Sequence, residues 1–267
     1  MTKSNSNIKN VSIIILFLHI CWPQIEQAYP PLNLVSIPTA GTLPRGTYTI
    51  ETLLSKNGGF IPKLSVGFTD NFSFGVSFGI QKLIGDEKIS YNKTTPEVQI
   101  KYRVFEESQS MPALVYGLDT QGRGMFKDSI KDKSTNIISR YEQKAWGMYL
   151  VLSKNWFLLG NLGVHGGISK SISENDDGDK DLNIFFGIDK ELNRSFSLLI
   201  EYDAALNDNE YELEDISFGR GRGYLNAGIR WAVSPNLLME INFNDINKNT
   251  DADYTNREIK IMFSDAF

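Results

Sequence analysis

The segment FSFGVSFGI sets Phe72, Phe74, Val76, Phe78 and Ile80 on one face of an extended chain and Ser73, Gly75, Ser77 and Gly79 on the other. Side chains alternate faces along a strand, so a strict period of two predicts a β-strand with one apolar side. EVQIKYRV repeats the pattern, opposing Val98, Ile100, Tyr102 and Val104 to Glu97, Gln99, Lys101 and Arg103. A helix would scatter these residues around its circumference. Further strands are expected at TYTIETLL from Thr47, PKLSVGF from Pro62, ALVYGLD from Ala113, AWGMYLVLS from Ala145 and WFLLGNLGVHGGI from Trp156. LNIFFGID from Leu182, SFSLLIEYDA from Ser195, YLNAGIRWAV from Tyr224, LLMEINFN from Leu237 and REIKIMF from Arg257 complete a set of twelve. Between them the periodicity leaves room only for a short helix in residues 125 to 138.

The connections alternate in length. Short turns are expected at Thr69-Asp70-Asn71, Glu106 to Met111, Lys154-Asn155, Glu191 to Arg194 and Ser234-Pro235-Asn236, all built from turn-forming residues. Long polar loops fall at 81 to 95, 122 to 143, 169 to 181, 206 to 221 and 245 to 256, with the short link Lys56 to Gly59 as the exception. Short turns at one end and long loops at the other predict a closed, antiparallel, up-and-down transmembrane β-barrel with periplasmic turns and extracellular loops.

Composition alone points elsewhere. At 41% hydrophobic and 22% charged, with one Cys in 267 residues, the chain is too apolar for disorder and too poor in Cys for a disulfide scaffold. A mean hydropathy of -0.24 excludes a bundle of membrane helices. An alternating barrel averages to the same value, because lipid-facing and lumen-facing residues cancel. A net charge of -5 offers no basic footprint for nucleic acid.

The first residues read as an export signal. Lys3 and Lys9 precede the apolar run Val11 to Ile20, which Pro23 ends. That run is about half the ~20 residues of a spanning helix. Cleavage after Ala28 divides the chain into a signal peptide (1 to 28), a lead-in segment (29 to 46) and the barrel (47 to 267), and it removes Cys21. Ile20 stands where a lipid-attachment box needs a small residue, so lipidation of Cys21 is not expected. At the other end, Phe267 shares a strand face with Ile259, Ile261 and Phe263, a pattern that resembles the signal read by barrel assembly machinery.

IPTAGTLPRGTYTIETLL (37 to 54), GGFIPKLSVGFTDNFSFGVSF and PEVQIKYRVFEESQSMPALVYGLDTQGRG together resemble bacterial outer-membrane proteins related to the YjbH group. The shared features are a Pro-Thr-Ala lead, a Leu-Pro-x-Gly turn, a Gly-Gly hairpin and a strand leading to Gly-x-Asp, all within residues 36 to 124. The resemblance implies a barrel fold and an association with exopolysaccharide production or secretion. It implies no catalytic residue.

Candidate chemistry is sparse. The two His are His19, in the signal, and His165, so a mature two-His metal site is excluded. A barrel lipase would need a Ser beside His165, and Ser169 lies four residues on at the strand end, so His165 is expected to be a lumen or interface residue. Gly219 to Gly223 lacks the Lys-Ser/Thr of a phosphate loop. With Gly178 at position six of a calcium loop, Ile184 falls at position twelve, where a Glu belongs, so Glu174 to Asp181 reads as a solvated loop. No enzyme, metal or cofactor is expected.

What remains is the polar face. Glu97, Gln99, Lys101, Arg103, Glu201, Asp203, Arg230 and Glu240 are the candidate lumen-lining residues. An unpaired charge in a narrow interior is costly, so these groups are expected to pair and plug the barrel. Twelve strands fall between the eight that side chains fill and the sixteen that leave a channel. The expected role is in cell-envelope structure or export, of exopolysaccharide, from the bacterial outer membrane. A narrow channel for small polar solutes and a secreted soluble barrel with a bound ligand are the alternatives. The expected partners are outer-membrane lipid, the assembly machinery through Phe267, and polysaccharide or a small polar solute.

Overall fold

The computed structural model describes residues 31–131, 137–209, 219, 221–250 and 255–267. The expected signal peptide, with His19 and Cys21, lies outside them. Sixteen strands follow in order: β1 (Thr47–Ser55), β2 (Gly59–Thr69), β3 (Phe72–Ser77), β4 (Ile80–Gln81), β5 (Ser90–Tyr91), β6 (Glu97–Phe105), β7 (Ala113–Asp119) and β8 (Arg123–Lys131). Then come β9 (Ile137–Gln143), β10 (Gly147–Phe157), β11 (Asn161–Lys170), β12 (Asn183–Glu191), β13 (Phe196–Asp203), β14 (Tyr224–Ser234), β15 (Leu237–Asn244) and β16 (Asn256–Ala266). Twelve of them form an antiparallel ring in the order β1-β2-β3-β6-β7-β10-β11-β12-β13-β14-β15-β16. It closes because β1 pairs with β2 on one side and with β16 on the other, Thr47 opposite Ala266.

Alternation fixes which way each strand faces. Ser73, Gly75 and Ser77 are buried inside while Phe72, Phe74 and Val76 face out. Ile50, Leu64, Leu150, Phe186 and Ile241 are exposed on the outer surface of other strands. An outward apolar belt around an inward polar set is the arrangement of a barrel solvated by lipid. It is the reverse of the soluble alternative, which needs the Phe72 to Ile80 face turned inward.

Two expectations are corrected. Residues 125 to 138 hold no helix among the described residues: β8 and β9 pair as a hairpin outside the ring, with the Phe126 and Tyr141 rings edge to face at 5.0 Å. The turn expected at Lys154-Asn155 lies instead at residues 158 to 160, between β10 and β11. Leu159 (φ 49°) and Gly160 (φ 98°) take left-handed conformations there, so the reversal occurs behind an apolar run that reads as strand interior.

The lead-in segment fills the ring. Residues 32 to 39 double back as a narrow hairpin, with Leu34 N–H on Ile37 O at 3.0 Å and Thr39 N–H on Leu32 O at 3.2 Å. Leu34, Val35 and Ile37 are fully buried, packed with Ala40 on Ala113, Val115, Tyr149, Val151, Phe185 and Leu199. One wall of the lumen, β7 to β13, is therefore apolar where it meets this plug. Each such aliphatic side chain contributes about 1.5–3 kcal/mol on burial. The stem returns to the short-turn end: Thr42 donates to Asp70 O at 3.0 Å and Gly46 N–H to Gly67 O at 2.9 Å. Gly67 is needed there, because a Cβ would stand 2.0 Å from Pro44 O.

Gly187 provides the space for the plug tip, since a Cβ there would lie 2.7 Å from Leu34 Cδ1 and 2.8 Å from Ile37 Cδ1. Gly187→Leu is expected to unseat the tip at a cost of about 1–3 kcal/mol while the ring still closes. Limited proteolysis should then cut within residues 31 to 46 although heat-modifiable gel migration is retained. Protection equal to that of the unsubstituted chain would refute this placement.

Candidate functional site

A segment inside a barrel carries N–H and C=O groups that no strand ladder satisfies. The lumen charges meet this need. Lys101 donates all three ammonium protons to plug carbonyls, those of Leu32, Thr39 (3.1 Å) and Gly41 (3.3 Å). Arg123 reaches Val35 O at 2.5 Å, Arg230 reaches Asn33 O at 3.0 Å and Lys260 reaches Leu34 O at 2.9 Å. From the opposite sign, Glu201 accepts from Ser36 N–H (2.8 Å), Ile37 N–H (3.1 Å) and the Ser36 hydroxyl, with Asn226 also donating at 2.8 Å.

Three of the cations are also neutralised by the wall. Arg230 and Lys260 share Glu240, at 2.7 and 2.8 Å, and Arg123 pairs with Glu258 at 2.6 Å. Arg230 and Glu240, directly opposite on β14 and β15, are thus paired as the sequence predicts. The pairing expected among the lumen candidates does not extend to Lys101, Arg103, Glu201 and Asp203, none of which forms an ion pair with another of the four. Arg103 lies at the short-turn rim, bonded to Asp70 O (2.8 Å) and Glu106 (2.9 Å), and is no deep lumen residue. Glu97 sits at the other end, against Tyr141 Oη (2.9 Å) and Lys93 (2.6 Å). Gln99 bonds Ser77 at 2.9 Å and Asp119 at 3.2 Å, and Asp203 accepts from Asn183 at 2.6 Å.

The long-loop mouth is covered by the β8–β9 hairpin. Glu142 pairs with Lys56 beside β1, Gln143 reaches Asn244 of β15 at 3.3 Å, and Arg140 holds Asp177 (2.8 Å) and Asp208 (2.7 Å) from two other loops. Glu174 accepts the amides of Tyr141 (2.6 Å) and Ala145 (2.7 Å). Burial raises the carboxyls of Glu174 and Asp208, against the lowering pull of these amides on Glu174 and of Arg140 on Asp208. Asp177 is taken up by Arg140 and Lys144, so Glu174 and Asp177 of the expected solvated loop tie down the lid, while Asp176, Lys180 and Asp181 are exposed. Between lid and plug a polar cavity of about 70 Å³ remains, bounded by Ser36, Lys63, Gln99, Arg123, Asp203 and Asn226 among others. A space of that size holds a few waters.

One constellation escaped the sequence reading. Ser153 Oγ lies 2.7 Å from His165 Nδ1, and His165 Nε2 lies 2.7 Å from Asp189 Oδ1. Ser169 plays no part, its hydroxyl being buried without a partner. Ser153 Oγ also accepts the Ala40 N–H at 2.8 Å. The His165 ring bridges Ser153 and Asp189 through its two nitrogens, and Ser153 Oγ keeps a lone pair for the plug amide. The three residues sit on β10, β11 and β12, with Ser153 directly opposite His165 in the register.

No family model matches the chain, and no curated protein matches it. Among solved structures, the KdgM porin superposes with a TM-score of 0.47 at 9% identity, covering 81% of this chain and 98% of that one. The same porin in complex with disordered oligogalacturonate gives 0.46 at 12%, covering 81% and 98%. The NanC porin gives 0.42 at 8%, covering 82% and 99%.

Ser153→Ala removes the acceptor of a buried amide and is expected to cost about 1–3 kcal/mol. Ser169→Ala, at a hydroxyl without a partner, is expected to leave stability unchanged. Melting in detergent, with hydrogen exchange at the Ala40 amide, separates the two. Equal effects would show that Ser153 does not hold the plug.

Proposed function

We propose that this chain is a bacterial outer-membrane barrel that works as a gated, narrow channel for small polar solutes, closed at rest by its own residues 31–46. The exposed apolar belt, the alternation of short turns with long loops and the export signal expected in residues 1 to 28 support the location. Phe267, stacked on Tyr48 at 5.7 Å beside the outward row of β16, supports recognition by barrel assembly machinery.

The observation that carries the reading is how the plug is held. Its backbone is gripped by charged side chains of a polar wall, through contacts that water can replace, inside a ring wider than side chains alone would fill. A role in exopolysaccharide export rests on the resemblance of residues 36 to 124, and no lumen contact adds to it.

Planar-bilayer recording tests the reading. The full chain is expected to be mostly silent. Deleting residues 31 to 42 and replacing 124 to 141 with a short Gly-Ser linker should give discrete current steps, with rarer steps for the plug deletion alone. A doubly altered barrel that folds, by heat-modifiable migration, and still carries no current overturns the proposal.

A further inference from the structure

The lumen charges are not equivalent. Arg123, Arg230 and Lys260 each keep a carboxylate partner on the wall whether or not the plug is present. Lys101 and Glu201 do not. All three hydrogen bonds of Lys101 end on plug carbonyls, and among the described residues no carboxylate lies within ion-pair distance of it. Glu201 takes its bonds from the plug and from the neutral amide of Asn226, with no cation within ion-pair distance among the described residues. Both side chains are buried, on β6 and β13. Of the charges that hold the plug, one cation and one anion therefore lose their plug partners with no opposite charge to turn to, beside the facing Glu51 and Lys63 of the same cavity, and such groups are costly to leave so.

We infer that Lys101 and Glu201 form the solute-binding pair of the open lumen, and that the solutes it takes are short zwitterions of oligopeptide length. The inference rests on the channel reading above and names its cargo. The plug shows what the pair accepts. Glu201 holds amide protons at Ser36 and Ile37, and Lys101 holds carbonyl oxygens at Leu32, Thr39 and Gly41, so a peptide presents N–H to the first and C=O to the second. From Ser36 to Thr39 a chain reaches at most about 13 Å. A free tri- or tetrapeptide spans that interval with an ammonium at one end and a carboxylate at the other, and charged termini bond these groups more strongly than the neutral backbone does. A solute with one sign of charge meets one favourable group and one repulsive group.

The test uses the full-length protein in planar bilayers. Lys101→Gln and Glu201→Gln should each raise the frequency of openings, because each loosens the plug. Reversal potentials in a KCl gradient should move in opposite directions, toward cations for K101Q and toward anions for E201Q, while Lys154→Gln at the short-turn rim leaves selectivity unchanged. Tetra-alanine should block the residual openings of the unsubstituted channel more strongly than its N-acetyl amide, by about tenfold for each charge engaged. That preference should fall about tenfold in K101Q and in E201Q, and disappear when both are replaced. Equal block by the two peptides, or a preference that survives both substitutions, overturns this inference and leaves the channel reading standing. Silence in every variant, each folded by gel migration, overturns the channel reading and this inference with it.

Discussion

Everything inside this barrel follows from the need to find partners for backbone groups that enter a closed ring without a strand to pair with. The ring satisfies its own N–H and C=O groups by closing β1 onto β16. The plug has only the local bonds of its hairpin, so the wall must supply the rest. Three wall cations and Arg123 of the β8–β9 hairpin aimed at carbonyls, with one wall carboxylate aimed at two successive amides, meet that demand. The polar lumen, the apolar patch on β7 to β13 and the buried ion pairs become intelligible as one surface shaped to a peptide.

The same logic explains why mixed charge does not collapse the lumen into internal pairs. Glu240 carries two cations, which leaves each of them a free donor for the plug. Breaking such a buried set by removing one partner is costly. The plug is held by charge-assisted hydrogen bonds to this wall and by the burial of Leu34, Val35 and Ile37, while the ion pairs of the wall do not depend on it.

The strand ladder was legible because period two is imposed by backbone geometry alone, and Phe72 to Ile80 or Glu97 to Val104 cannot satisfy it by accident. The plug was not. Leu34, Val35 and Ile37 belong to no periodic pattern, since a segment enclosed on all sides has no polar face to alternate with. The Ser153–His165–Asp189 relay was hidden by one misplaced turn. With the reversal set at Lys154-Asn155, Ser153 cannot oppose His165. With the reversal at residues 158 to 160 it must, because 153 and 165 lie symmetrically about 159. Turn-forming residues pointed to Lys154-Asn155, but in the structure Asn155 and Lys154 are engaged by the neighbouring turn, through Glu107 and Ser108. The sign of each lumen residue could be read, and for Arg230 and Glu240 the partner too, but those of Lys101 and Glu201 could not, because β6 and β13 meet only through the plug.

The position of the plug also constrains how the molecule is made. It leads directly into β1, and β1 finds its last partner in β16, at the far end of the described chain. The final seam can zip only after almost all of the described chain is present, a pairing of very high sequence separation and correspondingly slow formation. Residues 31–46 enter from the short-turn end with their stem fixed beside that seam, Phe267 N–H donating to Gly46 O at 3.0 Å. One seam thus carries two tasks, closing the ring and anchoring the segment that fills it.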